Sequence, residues 1–269
     1  MPKSVAQDIL ETHDASLLLK LRAFVLFQPP YAWAYYLCLA LYCAASCRAL
    51  KLSKPTLKHA HAIPLAILTS FGGGILVPIT LGKPMVLHAN ESVLPIMLCA
   101  YTCVNFLPGV FSLLSTRIGK LISTTGFEIF RYHVLAGCSD LANRTLPQPM
   151  GGGYPVAIVG PLVAGLLGGC GGAFMPLSTG LSPIENGLPW RVQSALIATF
   201  YHHFATHDPN AREWLVKFFP MFVDEAWVRF GGIVFFAAVP LCHVMGANIL
   251  GANPFWPQRQ LKAKKAKGD

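Results

Sequence analysis

The chain has 269 residues, of which 12% are Asp, Glu, Lys or Arg and 54% are apolar. An ordinary soluble domain carries about 25% charged residues, so there are too few polar side chains here to cover a soluble fold of this size, and a disordered chain is excluded on the same ground. The net charge of +9 does not point to nucleic acid, because the basic residues are grouped beside apolar stretches: Arg48, Lys51, Lys54 and Lys58 in one cluster, and Arg259, Lys262, Lys264, Lys265 and Lys267 at the C-terminal end.

Residues 1–30 hold Asp8, Glu11 and Asp14 and lack the basic start and early apolar core of a signal peptide. The run Leu17 to Phe27 is apolar but interrupted by Lys20 and Arg22, and is too short to cross a bilayer; it predicts an interfacial helix. Crossing the hydrocarbon core takes about 20 mostly apolar residues. Seven segments meet that length, at about 31–50, 60–81, 93–115, 121–142, 154–178, 189–206 and 228–250. The predicted class is therefore an all-α membrane protein with seven transmembrane helices.

Charge sets the predicted orientation. With the N-terminus luminal, Arg48, Lys51, Lys54, Lys58, Arg117, Lys120 and the basic tail all fall on the cytosolic side. The sequons Asn90-Glu91-Ser92 and Asn143-Arg144-Thr145 then fall in luminal connections, which supports the orientation without establishing glycans. The eight cysteines lie in or beside apolar stretches, form no CxxC, and read as small buried hydrophobes.

One pattern recurs. Gly73-Gly74-Ile75-Leu76-Val77-Pro78 in the second segment matches Gly171-Gly172-Ala173-Phe174-Met175-Pro176 in the fifth. Segments one to three would then repeat as four to six. Because three is odd, the second copy crosses the membrane in the opposite sense, giving two inverted three-helix repeats and a seventh helix. The boundaries that follow are 31–116, 117–207 and 208–250, with a cytosolic tail at 251–269. Paired glycines and a following proline weaken a helix, so a break or kink is expected at Gly72, Gly73, Gly74 and Pro78, and again at Gly171, Gly172 and Pro176. Freed carbonyls at membrane depth must be buried in protein or line water, which points to a polar pathway near the midplane. Close helix packing through small residues is the competing explanation. Polar residues placed to line such a pathway are Thr69, Ser70, Ser178 and Thr179, with Gln193 and Ser194 from the sixth segment.

Glu128 and Arg131 share one face of the fourth segment at i, i+3, where a membrane charge costs about 2.5–3.5 kcal/mol. Such a pair serves either a structural role or a cavity. Arg191 begins the sixth segment after Pro189-Trp190, where it can snorkel to the interface. His202, His203 and His207 form HHxxxH at the far end of that segment; with no second box or convergent carboxylate visible, they read as interfacial histidines, and no metal or catalytic centre is expected.

Several stretches resemble the trimeric intracellular cation channel (TRIC) family. They are Phe71-Gly72-Gly73-Gly74-Ile75-Leu76 followed by Leu87-His88-Ala89-Asn90; Phe127-Glu128-Ile129-Phe130-Arg131 through Gly137 to Leu141-Ala142-Asn143; Gly169-Cys170-Gly171-Gly172; Pro189-Trp190-Arg191-Val192; and Thr199-Phe200-Tyr201-His202. The resemblance covers about residues 31–250. It implies a homotrimer of the endoplasmic or sarcoplasmic reticulum in which each subunit has a potassium-permeable pore supplying counter-ion current during calcium release. It further implies glycine breaks flanking the pore, and basic residues on the fourth helix that bind phosphoinositide headgroups and respond to voltage. Phe127 and Val134 stand where the family usually has Lys, and Gly168 where it commonly has Arg; Arg131 remains, and Arg191 matches a family Lys. By this resemblance Glu128, Arg131 and Arg191 are the gating or lipid-headgroup candidates. Membrane lipids and potassium ions are the expected partners, with no bound cofactor beyond a phosphoinositide. Lys265-Ala266-Lys267-Gly268-Asp269 resembles a dilysine retrieval signal, which works only on a cytosolic tail. A secondary transporter of a small solute is the alternative that broken inverted-repeat helices also suit.

Overall fold

The computed structural model describes residues 16–147, 156–179, 181–182, 184–185 and 187–246. The acidic start, the basic tail and its dilysine pattern lie outside the described residues. Every regular element among the described residues is helical.

The chain opens with α1 (Leu17–Val25), N-capped by the Ser16 hydroxyl. One face of it is docked, with Ala23 and Val25 buried and Arg22 bonding Asp224 at 2.8 Å and covering the Trp227 ring, while Leu17, Leu18 and Leu21 are exposed. Next come α2 (Ala34–Ser53), α3 (His59–Thr80) and a short α4 (Val86–Ala89). The third predicted segment is two helices, α5 (Val93–Phe106) and α6 (Pro108–Ser115), bent by 93°. The bend has a local cause. Leu107 precedes Pro108, whose ring disfavours α geometry in the residue before it, and Leu107 is extended with ψ 103°.

The longest helix, α7 (Arg117–Thr145), begins where the Thr116 side chain accepts from Gly119 N–H. α8 (Val159–Cys170) gives way to a 3-10 turn over Gly171–Phe174. Then follow α9 (Trp190–Thr206), α10 (Pro209–Phe218) and α11 (Glu225–Val244). Asp208 caps α10 ahead of Pro209 at its first position, and Asp224 caps α11 with Glu225 in the first turn, as the helix dipole favours.

Among the described residues two helices, α3 and α11, are by themselves long and apolar enough to cross a membrane, and α5 with α6 makes a third if the bent pair is one span. The shortfall from seven has a physical source. α7 is long but carries Glu128, Arg131, Asp140 and basic ends; α9 has only 17 residues; and α8 is a short apolar helix ending in its turn.

Around an apolar core, the fold exposes many apolar side chains and buries several charged ones. Leu37, Leu98, Val163, Ile197, Phe200 and Val234 face outward, while Glu128, Arg131, Asp140, His202 and His203 are buried. α7 lies at the centre, against α2, α8 and α11, and buries Phe127, Phe130, Tyr132 and Leu135 among them. Of the cysteines, Cys38, Cys43, Cys47, Cys138 and Cys170 are buried, as expected; Cys103 and Cys242 are half-buried and Cys99 is exposed.

Candidate functional site

The two glycine motifs meet each other. A Cβ on Gly72 would lie 2.8 Å from the Gly172 Cα, one on Gly171 2.7 Å from the Gly73 nitrogen, and one on Gly73 would overlap the Leu167 carbonyl. Backbone therefore touches backbone where α3 crosses the end of α8. Of the two helix breaks expected at these motifs one is absent: α3 is a single helix through Gly72–Gly74 and Pro78, whereas the fifth segment leaves its α-helix at Gly171. Packing supplies the reason. Both glycine sets are used for close approach, and the continuous backbone of α3 is held by the contact it makes possible.

The three charged candidates converge beside this crossing. Arg131 on α7 donates to Glu128 Oε2 at 2.5 Å, to the Gly169 carbonyl at 2.7 Å, to the Arg191 carbonyl at 2.7 Å and to Ser194 Oγ at 2.5 Å. Its guanidinium lies 4.4 Å from the centre of the Phe236 ring. One planar fork thus ties α7 to the end of α8, the start of α9 and α11, a pattern an ammonium cannot reproduce. The Gly169 carbonyl is among the last four of α8, which have no partner inside the helix. Arg191 is exposed at the start of α9. Its guanidinium stands 4.8 Å over the Phe127 ring, and with Thr124, Glu128, Trp190, Pro240 and His243 it lines a cavity of about 320 Å³.

Phe127 and Gly168 are both tightly packed. Phe127 stacks on Tyr42 with ring centres 4.7 Å apart, and the Arg191 guanidinium lies 4.8 Å from its ring centre. Gly168 has no room for a side chain, since a Cβ would lie 2.8 Å from the Cys138 Cβ.

The predicted lining residues are placed as follows. Thr69 bonds back to the Leu65 carbonyl at 2.8 Å. Ser70 is buried, its hydroxyl has no partner, and its carbonyl accepts from the Tyr42 hydroxyl. Gln193 is buried and donates to the Leu188 carbonyl, while Ser194 belongs to the Arg131 network. Ser178 is exposed, and the side chain of Thr179 lies outside the described residues.

A second polar cluster sits at the other end of α7 and was not foreseen. Asp140 Oδ1 accepts from His202 Nε2 and His207 Nε2, both at 2.8 Å, and its Oδ2 accepts from Arg229 at 2.8 Å. Asp140 was available as a signal, being a third charge within an apolar helix, but nothing in the sequence relates it to histidines more than 60 positions away. The sequon asparagines are also engaged. The Asn90 amide donates to Tyr35 at 2.8 Å, and that of Asn143, within α7, lies 3.3 Å from His207 Nδ1.

No protein-family model and no curated protein matches the chain. Solved structures do. A TRIC counter-ion channel structure, described for activity in calcium release, aligns with a TM-score of 0.56 at 16% identity over 78% of this chain and 92% of its own. Two Trimeric Intracellular Cation channel structures from C. elegans, one in the absence of Ca2+ and one with it bound, align at 0.59 and 0.58 with 17% and 14% identity. They cover 83% and 87% of this chain, and 95% and 99% of theirs. At these identities what is shared is the fold.

Proposed function

We propose that this chain is a member of the trimeric intracellular cation channel family: a multi-pass protein of the endoplasmic or sarcoplasmic reticulum, its N-terminus luminal and its C-terminus cytosolic. In this reading the seven segments form two inverted three-helix repeats and a seventh helix. Three copies assemble, each with its own potassium-permeable pore, and the current balances calcium release. The observation that carries the proposal is the direct crossing of the two glycine motifs, α3 against the end of α8, within a fold shared with TRIC channels. In inverted repeats the paired helices meet at the pseudo-two-fold axis, which is where transport pathways run.

The crossing as it stands is a constriction, because backbone contact leaves no space for an ion. Arg131 is placed to hold it, since it bonds the last turn of α8 and the first turn of α9 at once. Release of the Gly169 carbonyl would let that turn withdraw from α3 and bring the unpartnered Ser70 hydroxyl to the opening. Arg131 and Arg191 repel cations entering the cavity at this end, and Glu128 offsets one of them. Having Phe127 and Val134 in place of lysines leaves the path less repulsive and phosphoinositide control weaker than the family pattern implies.

The test is reconstitution of the full chain into a planar bilayer with potassium on both sides. Unitary openings are expected; flux without unitary openings would instead indicate a transporter. In Arg131→Ala, a change in conductance or voltage dependence is expected. If both stay as in the parent, Arg131 has no gating role.

A further inference from the structure

We propose that Asp140, His202 and His207 form a binding site for a borderline transition-metal dication, of which zinc is the type. One ligand atom from each residue lies within 4.8 Å of the other two, and both imidazole Nε2 atoms point at the same carboxylate oxygen. A tetrahedral ion with ligand bonds of about 2.0–2.1 Å needs its ligand atoms about 3.3 Å apart. The two 2.8 Å bonds to Asp140 would thus have to open by only about 0.5 Å to admit the ion. Two nitrogens to one oxygen favour zinc-class ions over calcium, which takes oxygen ligands.

The surroundings are those of a supported site. A carboxylate oxygen only accepts, so in the metal-free arrangement both Nε2 atoms carry the proton. Metal binding moves each proton to Nδ1, with no net release, and the Asn143 amide, whose nitrogen faces His207 Nδ1 at 3.3 Å in the metal-free arrangement, must then turn its oxygen to that proton. Nδ1 of His202 already faces the Tyr132 hydroxyl at 3.4 Å, which can accept as well as donate. Arg229 takes only Oδ2, which leaves Oδ1 for the ion, and its charge is met by Glu225 at 2.7 Å. With neutral imidazoles, Asp140, Glu225 and Arg229 sum to one negative charge, which suits a dication. His203, fully buried, has both ring nitrogens unpartnered, with its ring centre 5.8 Å from that of His207. Entry is open, because His207 lines a cavity of about 460 Å³ together with Thr206, Arg212 and Glu213.

The experiment titrates Co2+ into the full chain, purified in detergent and stripped with a chelator, and follows the visible ligand-field bands. Intense tetrahedral bands are expected, abolished by Zn2+ and unaffected by Ca2+, and Zn2+ should raise the melting temperature. His202 is fully enclosed, so His202→Ala can fail to fold; His207→Ala, at a partly open position, keeps the test decisive. His207→Ala should weaken Co2+ binding about 100-fold or more and remove the Zn2+-induced rise, while exposed His61→Ala changes neither. Only weak octahedral bands, or a Zn2+-induced rise that survives in His207→Ala, would overturn the proposal. Neither readout depends on whether the protein conducts ions.

Discussion

Three glycine-to-alanine substitutions separate close packing from helix weakness as the use of the glycine motifs. In Gly73→Ala the new methyl would overlap the Leu167 carbonyl and lie 2.6 Å from the Gly168 oxygen, where ordinary contact begins at 3.4 Å. The Leu167 oxygen is the closest of these contacts, so α3 and α8 must part by about 1.1 Å, enough to forfeit about half of each local dispersion contact. Overpacking of this kind costs about 1–3 kcal/mol, and the better helix former returns about 1 kcal/mol, for a net loss of about 1 kcal/mol. Gly172→Ala meets the Thr69 carbonyl with its carbon 2.9 Å away, and sits in the 3-10 turn where no helix gain applies, so the loss is about 2 kcal/mol. Gly137, inside α7, has nothing within 4 Å of its missing Cβ, and alanine there should gain about 1 kcal/mol. At about 2–4 °C per kcal/mol, the melting temperatures of the detergent-solubilised variants should rank Gly137→Ala above the parent, then Gly73→Ala, then Gly172→Ala. A rise for Gly73→Ala matching that for Gly137→Ala would refute the crossing.

Arg131→Met leaves Glu128 buried without its partner and should cost about 3–5 kcal/mol, whereas Glu128→Gln with Arg131→Met should cost clearly less; denaturation of both variants measures the difference. Phe127→Ala loses the Tyr42 stack and the face beneath Arg191 and should cost about 3 kcal/mol in the same assay. Gly232→Ala drives a methyl into the Tyr132 ring, and a melting-temperature drop of several degrees is expected. Tyr42→Phe removes the bond to the Ser70 carbonyl and should cost about 1 kcal/mol, small enough for the variant to be compared with the parent in bilayer recordings.

The helical class and the pairing of Glu128 with Arg131 could be read from the sequence, because scarce charges in apolar helices have few ways to be satisfied; the approach of Arg191 to them could not, since it starts a different segment 60 positions away. The recurrence of the glycine motif was equally visible, but the continuity of α3 was not. Intrinsic propensity argued for two breaks, and only tertiary contact shows that Gly73 is spent on approaching α8. The bend between α5 and α6 had its signal in Leu107-Pro108, which a search for apolar length passes over. The Asp140 cluster was beyond reach for a different reason: its members come from three helices, and spacing along the chain carries no trace of which helix faces which.

The Arg131 guanidinium holds two carbonyls, at Gly169 and Arg191, that lie at opposite ends of one connection. That stretch is therefore a ring closed by hydrogen bonds, and its ends stay together whatever its length. For a flexible loop, doubling the length adds only about 0.6 kcal/mol of closure cost. Around residues 181–182, where Leu181 is largely exposed, the protein should thus accept an inserted epitope or fluorophore tag with little change in fold. Such an insertion would supply a reporter whose two anchor points are released together when the arginine lets go.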